Sequence, residues 1–416
     1  MDSYRKAKDV VKKFNQEHLL DFYDELNSNE QELLVNQILD IDFEQIFDLY
    51  EASKTDEEIA YDEIEPLTYT DKSELSKVDI INYSDIGEIY IRKGALAVVT
   101  LAGGQGTRLG FKGPKGCFEL DIFPKKSLFE ILCDQLKEAN RKYNITIPWY
   151  IMTSDYNDKE TKTFFEQRCY FGYPKHAVKF FKQGVLPLIN TDADLILEEL
   201  YKVKEASNGN GDVFEALERA NLVEDMRKKG VKWVSFCGID NVILDIVDPL
   251  FLGLTIAQKN EIASKTLYKN DVESKDWVFL RKKGMPSIIS PSYLSNDMKT
   301  AKDDKGHDLY RDMNILAHLF SIDAIEHVVN VKLPYHRAFK KNPFVNEEGM
   351  KQVPESPNTF KFETFIFDAF AYFDDNTLLR VNKEDEFAPI KDFNGIYNPE
   401  VAKDMYEAKY EHLKIR

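Results

Sequence analysis

Apolar runs alternate with amphipathic stretches along most of the chain, and the alternation predicts a layered α/β fold. The run Ala95–Leu101 is continuous and rich in β-branched residues, the pattern of a strand buried on both faces of a parallel sheet. Comparable runs predict strands at Ile147–Thr153, Val178–Gln183, Trp233–Leu244, Ile262–Tyr268 and Trp277–Ile289. Helical periodicity fills stretches between them. Ser127–Arg141 and Asp212–Lys229 each open on a capping-box pattern, Ser127 with Glu130 and Asp212 with Glu215. Strands separated by helices predict a mostly parallel sheet with helices on both faces. Ligands in such sheets bind beyond the carboxyl ends of the strands, so the turns after strands are where chemistry is expected.

The first part of the chain has a different pattern. Residues 3–50 carry apolar positions at helical spacing, such as Leu19, Phe22, Tyr23 and Leu26, then Leu34, Ile38 and Ile41, and predict several short helices packed on the main domain. Residues 51–75 are acidic and weakly periodic, a connecting arm. A last helix is expected after Asn398-Pro399. The organisation predicted is a helical region with acidic arm at 1–94, an α/β domain at 95–396 and a C-terminal helix at 397–416.

Charge distribution narrows the ligand. The net charge is −17, yet residues 1–65 alone hold 19 acids against 6 bases. Residues 103–126 hold five bases and two acids, a positive island in an acidic protein. That argues against nucleic acid as a partner, which needs a broad basic surface, and for a small anion. The cysteines, Cys117, Cys133, Cys169 and Cys237, form no CxxC pair, which suits a reducing compartment and no zinc site. The N-terminus lacks the apolar centre of a signal peptide, and no run approaches the roughly 18 residues of a membrane span. A cytoplasmic protein with no membrane partner is expected.

The island coincides with the end of the first buried run. Gly103, Gly104, Gly106 and Gly110 remove side chains that would block a ligand, Arg108, Lys112 and Lys115 add charge, and no acid falls between Gly103 and Phe118. This is the pattern of a polyphosphate site, the bland alternative being a glycine turn beside a solvated basic face. It is neither a Walker A loop nor GxGxxG, because Gly104, Gly106 and Gly110 leave one residue too many in the second gap. Gln183 ends a strand and could read a pyrimidine edge or be an ordinary turn residue. Asn208-Gly209-Asn210-Gly211 is a tight-turn sequence or a flat loop for a base or ribose. Asp240 ends an apolar strand, either as a turn residue or as the one carboxylate that Mg²⁺ needs beside a triphosphate. No GxSxG, HExxH or histidine ligand pattern is present. A reaction without a protein nucleophile fits nucleotidyl transfer.

LAGGQGTRLG, followed shortly by Pro-Lys-Gly, resembles the signature of the eukaryotic UDP-N-acetylhexosamine pyrophosphorylases, relatives of the UDP-glucose and UDP-sugar pyrophosphorylases. The resemblance extends through residues 147–154, Gln183-Gly184, the Asn-Gly-Asn-Gly loop, Ile239-Asp240-Asn241, Phe365–Asp368 and Glu384–Phe387 with Pro389 and Lys391. It implies a Rossmann-like (GT-A-like) nucleotidyltransferase domain that converts UTP and N-acetylglucosamine 1-phosphate to UDP-N-acetylglucosamine and pyrophosphate with Mg²⁺. Carried over by residue, Leu101, Ala102, Gly103 and Gly104 would meet the nucleotide, and Arg108 and Lys115 its phosphates. Gln183, Gly209 and Asn210 would contact uracil and ribose, Asp240 the metal, and Lys391 the phosphate between nucleotide and sugar. Asn314 would recognise the acetamido arm, with Phe365 and Phe367 as pocket walls.

The sugar side departs from the family pattern. Met313 replaces a glycine, Trp277 stands where a small residue is expected, Ser290-Pro291 where Glu-Tyr holds sugar hydroxyls, and Ser207 where the nucleotide loop has proline. The chain stops at Arg416, where relatives continue into a small β-rich domain, so that domain is expected to be absent and the oligomeric state is open, a monomer included. Two alternatives to the first reading follow. One is the same reaction on another hexose 1-phosphate, the other a catalytically idle nucleotide-sugar-binding regulator.

Overall fold

Six consecutive buried residues, Leu96–Leu101 (β3), form the centre of an 11-stranded sheet. The computed structural model describes residues 2–54, 63–269, 276–303 and 306–414. Part of the expected arm, 55–62, and the last two residues of the expected C-terminal helix lie outside the described residues. In chain order the strands of this sheet are β1 (Ile64–Glu65), β2 (Thr70–Asp71), β3, β4 (Trp149–Thr153), β5 (Val178–Lys182), β6 (Trp233–Gly238) and β7 (Ile262–Tyr268). They continue as β8 (Val278–Lys282), β9 (Met285–Ile289), β10 (Asp312–Ser321) and β11 (Thr377–Arg380). The main path runs β2-β11-β7-β10-β6-β3-β4-β5, with β8 pairing β1, β9 and β10. Pairings on the path are parallel except for the two made by β10, which runs antiparallel to both β6 and β7. The result is a mixed α/β fold around a mostly parallel sheet.

The residues fall into two compact units. The larger comprises Ile59–Gln183, Val213–Lys332 and Ile366–Arg416 and holds the whole sheet. Its helices follow local signals. Leu128–Tyr143 is capped by Ser127, whose Oγ accepts from the Glu130 N–H at 3.2 Å, and it ends at Asn144 in the left-handed region. Helices Lys77–Arg92 and Pro249–Gln258 cross so closely that a Cβ on Gly87 or Gly253 would collide with the other's backbone. The C-terminal helix spans Pro399–Lys414.

The smaller unit comprises Met1–Glu58, Gly184–Asp212 and Leu333–Phe365. The expected N-terminal helices are present at Asp2–Lys13, Ser28–Asp40 and Phe43–Ala52. Their buried faces, with Leu34, Ile38 and Ile46, share one core with Leu186, Ile189, Leu197 and Phe362. Two side-chain amides fasten them further. Gln16 bridges the Ala193 carbonyl and the Leu195 N–H at 3.0 and 2.8 Å, and Gln37 bridges both backbone groups of Val203.

Several expected elements are cut differently. Trp277–Ile289 is not one strand but the hairpin β8–β9, turned at Lys283-Gly284 with both residues at positive φ, the two-residue turn that matches strand twist. The run Trp233–Leu244 stops as a strand at Gly238. The helix expected over Asp212–Lys229 is two, Val213–Arg219 and Leu222–Lys228, separated where Asn221 takes a left-handed conformation. β10 was not anticipated, because a positive φ at Leu316 makes a bulge and breaks the period-2 pattern in mid-strand.

Candidate active site

The turn after β3 is fixed through its carbonyls. At the end of β4, Ser154 Oγ donates to the Gly103 carbonyl at 2.8 Å. The buried Asn157 amide donates to the carbonyls of Ala102 and Gly104 at 2.9 and 3.2 Å, and its own Oδ1 accepts the Ser154 N–H. Lys115 N–H also donates to Gly104 O, which closes the loop on itself. These hydrogen bonds draw the carbonyls toward β4 and the loop interior and hold the glycine backbone in place. Neither Ser154 nor Asn157 was singled out in sequence; their signal is a polar Ser-x-x-Asn turn directly after a fully buried strand.

The glycines have separate tasks. Gly103 lies against the Gln183 side chain, where a Cβ would sit 2.7 Å from Nε2. The structure thus brings the first glycine and the strand-end glutamine together, and Gln183 is further held by its N–H on Thr153 O at 2.9 Å. Gly116 leaves room for the Phe129 ring, with which its Cβ would collide. Leu101 and Ala102 are buried at the strand end.

Charge converges just beyond. Lys115 Nζ donates to Asp240 Oδ2 at 3.1 Å, with both side chains partly exposed at 12% and 27%. Asp240 follows β6, next to β3 in parallel register, so both ends open at the same edge of the sheet. The segment 386–391 is strapped to this turn. Asn241 donates to Glu386 O at 2.7 Å and accepts from Ala388 N–H at 2.9 Å, and Ile390 N–H donates to Asp240 O at 2.9 Å. Lys391 follows immediately. Its ammonium lies 3.9 Å from Asp276 and 4.8 Å from the centre of the Tyr397 ring. Arg108 is exposed and lies 3.6 Å from Asp392, while its carbonyl accepts from Phe393 N–H.

β10 contributes Asn314. At the bulge Asn314 Oδ1 accepts the Leu316 N–H at 2.9 Å, and the Leu316 side chain reaches Gly238, beside Asp240. Asn314 N–H donates to Trp277 O, and the Val278–Met313 pairing places Trp277 and Asn314 on one face. The Trp277 ring packs on Phe367 at 5.0 Å. Met313 points the other way. It lines a cleft of about 650 Å³ with Tyr268, Lys269, Asp276, Arg380 and Tyr397. Ser290 caps the turn at Ser292 and lies just after β9, partly exposed.

The remaining expected residues belong to the smaller unit. The Asn-Gly-Asn-Gly loop is laced to 364–365, with Thr364 N–H on Asn208 O at 2.8 Å and Gly211 N–H on Thr364 O at 3.0 Å. A Cβ on Gly209 would strike the Thr364 backbone, and its φ of +96° suits glycine. Asp212 holds the loop from below, accepting from Gly184 N–H at 2.6 Å and Asn208 Nδ2 at 3.0 Å. Phe365, whose backbone meets Gly211, packs on the His336 ring at 5.1 Å. Gly209, Asn210 and Phe365 are therefore neighbours, a proximity not visible in sequence.

A glycine loop at a strand's carboxyl end, a lysine paired with an aspartate and a second lysine on the segment strapped to that aspartate's turn are groups that can hold phosphoryl oxygens. Residues 41–416 match the family described as UTP–glucose-1-phosphate uridylyltransferase, and the chain belongs to that family. Among its similar relatives are proteins named for UDP-N-acetylglucosamine. The chain is 36% identical over 405 residues to UDP-N-acetylglucosamine diphosphorylase 2 of Arabidopsis thaliana, covering 92% of this chain and 79% of that one. It is 35% identical over 336 residues to UDP-N-acetylglucosamine pyrophosphorylase of Saccharomyces cerevisiae, covering 78% and 70%. Among solved structures, the UDP-N-acetylglucosamine pyrophosphorylase of Trypanosoma brucei superposes with a TM-score of 0.83 at 28% identity, over 100% of this chain and 86% of that one.

Proposed function

We propose that this protein is a uridylyltransferase that converts UTP and N-acetylglucosamine 1-phosphate to UDP-N-acetylglucosamine and pyrophosphate. The Lys115–Asp240 pair at the mouth of the glycine loop carries the reading, because it sets a cation and a carboxylate where a triphosphate would lie. Residues 95–396 are assigned to the transfer as a Rossmann-like, GT-A-like domain, flanked by 1–94 and 397–416. The thiols of Cys117, Cys133 and Cys237 are pushed up to about 12 by burial, and unpaired inert cysteines suit a cytoplasmic location.

In the larger unit the nucleotide is assigned to Leu101, Ala102, Gly103, Gly104 and Gln183. Arg108 and Lys115 take its phosphates, and Asn314 and Phe367 the sugar. An oxygen of the sugar phosphate, already deprotonated near neutral pH, bonds to the α-phosphorus of UTP. The bond from that phosphorus to the bridging oxygen breaks, and pyrophosphate leaves with the electron pair. No general base is required. Lys115 neutralises charge on the nucleotide phosphates, and Lys391 holds the phosphate that comes to bridge nucleotide and sugar.

Asp240 fits a divalent cation of the Mg²⁺ kind. It is a partly exposed carboxylate, and among the described residues no group of three His, Cys, Asp or Glu could hold a metal without phosphate oxygens. Such an ion, when bound, would supply further charge neutralisation on the phosphates.

The test is pyrophosphate release from UTP with N-acetylglucosamine, N-acetylgalactosamine and glucose 1-phosphates, with Asp240→Ala as control. The highest kcat/KM is expected for N-acetylglucosamine 1-phosphate and none for the variant. A second reading, the same transfer to another hexose 1-phosphate, is favoured by the bulky Trp277 ring on the Asn314 face. Preference for glucose 1-phosphate would establish it. Silence with every sugar phosphate would leave a nucleotide-sugar-binding regulator.

A further inference from the structure

Lys265 sits inside β7 with a side chain only 1% exposed, and the transfer chemistry gives it no task. Its ammonium donates to both carboxylate oxygens of Glu386 at 2.9 Å and to Asp245 O at 3.2 Å, and it lies 2.8 Å from Asp248 Oδ2. We propose that Lys265 is a positioning residue for nucleotidyl transfer, holding through Glu386 the turn that carries Asp240 and the segment that carries Lys391 at one fixed separation. The inference rests on the uridylyltransferase reading.

The contacts form a closed chain. Glu386 is fully buried, and besides Lys265 its carboxylate accepts the Asp245 N–H at 3.0 Å, from the stretch that follows Asp240. Its backbone carbonyl accepts from Asn241, whose Oδ1 receives Ala388 N–H. Two residues on, Ile390 N–H donates to Asp240 O, and Lys391 comes next. Asp248 caps the following helix, accepting from Phe251 N–H at 3.2 Å. One ammonium therefore meets two points of the stretch that follows Asp240, the Asp245 carbonyl and the Asp248 carboxylate, and one of the Lys391 segment, the Glu386 carboxylate.

A core role alone would not call for this arrangement. Apolar residues of similar volume commonly replace buried ion clusters without loss, so the cluster's polarity needs another use. Here the hydrogen bonds end on loop backbone beside the site rather than on the sheet. Burial opposes the charge on Lys265, but Asp248 and Glu386 outweigh it and hold its pKa above the usual lysine value, so the clamp stays charged at working pH. The same residue lies opposite the β10 bulge. Ser264 pairs with His318 and Thr266 with Asn314, leaving Ile315–Ala317 across from Lys265. The segment that aims Asn314 and the one that places Asp240 thus meet at one residue.

The variants are Glu386→Gln, which keeps shape and backbone contacts, and Lys265→Met/Glu386→Gln, which removes the cation and one buried charge together. For each, kcat and KM, Mn²⁺ affinity of the UTP complex by electron paramagnetic resonance, and metal-free UTP affinity by calorimetry are compared with the wild type. A fall in kcat and in Mn²⁺ affinity of about tenfold to a hundredfold is expected, with metal-free UTP binding unchanged. A folded double variant with wild-type kcat and Mn²⁺ affinity would overturn the inference, as would UTP binding that falls in step with kcat. If neither variant folds, Lys265 is a stability residue and the inference falls. Failure of the wild type to release pyrophosphate would instead sink the functional reading, and the Mn²⁺ measurement alone would then decide Lys265.

Discussion

Lys115 is the residue whose substitution should separate chemistry from folding. Its partner Asp240 is partly exposed, so losing the pair costs little stability, whereas the charge it offers a polyphosphate has no substitute. Lys115→Met is expected to lower kcat by about a hundredfold to a thousandfold while shifting Tm by no more than about 3 °C. Stopped assays and differential scanning calorimetry on the same preparation check both halves. Asn157 is the opposite case. It is buried and satisfies two loop carbonyls, so Asn157→Ala should cost about 1–3 kcal/mol and raise KM for UTP as the loop loosens. Urea unfolding and initial rates would show the two losses together. Lys115, Asp240 and the glycines were legible in sequence because cation, acid and glycine sit at the ends of apolar runs. Asn157 was not, because a polar turn residue looks the same whether it faces water or another loop's carbonyls.

β10 is the element that sequence reading missed and the site depends on. Its bulge at Leu316 breaks the alternation that reveals a strand, yet it turns Asn314 and places His318 in the core. Burial lowers the His318 pKa to about 3, against about 6.5 in the unfolded chain. The folded protein therefore binds this proton only near pH 3 while the unfolded chain binds it near 6.5. Stability from this group is complete above pH 6.5 and falls by about 1.4 kcal/mol per unit below it, roughly 2 kcal/mol by pH 5. His318→Gln has no such group, so the gap in unfolding free energy between wild type and variant should shift by that amount between pH 7 and pH 5. A pH-independent gap would show that the folded protein takes up this proton as readily as the unfolded chain does. The β8–β9 hairpin was misread as one strand for a different reason: Lys283-Gly284 is a short polar interruption, and only pairing shows that the chain reverses there.

At the scale of the whole molecule, the location of charge governs how a metal enters. Among the described residues no cluster of acids or histidines could hold an ion alone, so the cation is expected to arrive with the nucleotide. EDTA should leave the Tm of the free protein unchanged and abolish turnover, and Mg²⁺ should raise Tm only when UTP is present. A drop in Tm on chelation without nucleotide would show a resident metal. The fold class, the strands that bear the glycine loop and Asp240, and the phosphate chemistry were determined by the sequence itself, since buried strands and anion-binding turns are local patterns of apolarity, glycine and charge. Tertiary structure alone decided that Gly103 lies on Gln183, that Phe365 neighbours the Asn-Gly-Asn-Gly loop, and that Lys265 ties the Asp240 turn to Lys391. Those pairs are up to 156 residues apart, and hydrogen bonds and packing between distant segments leave no periodicity in the sequence.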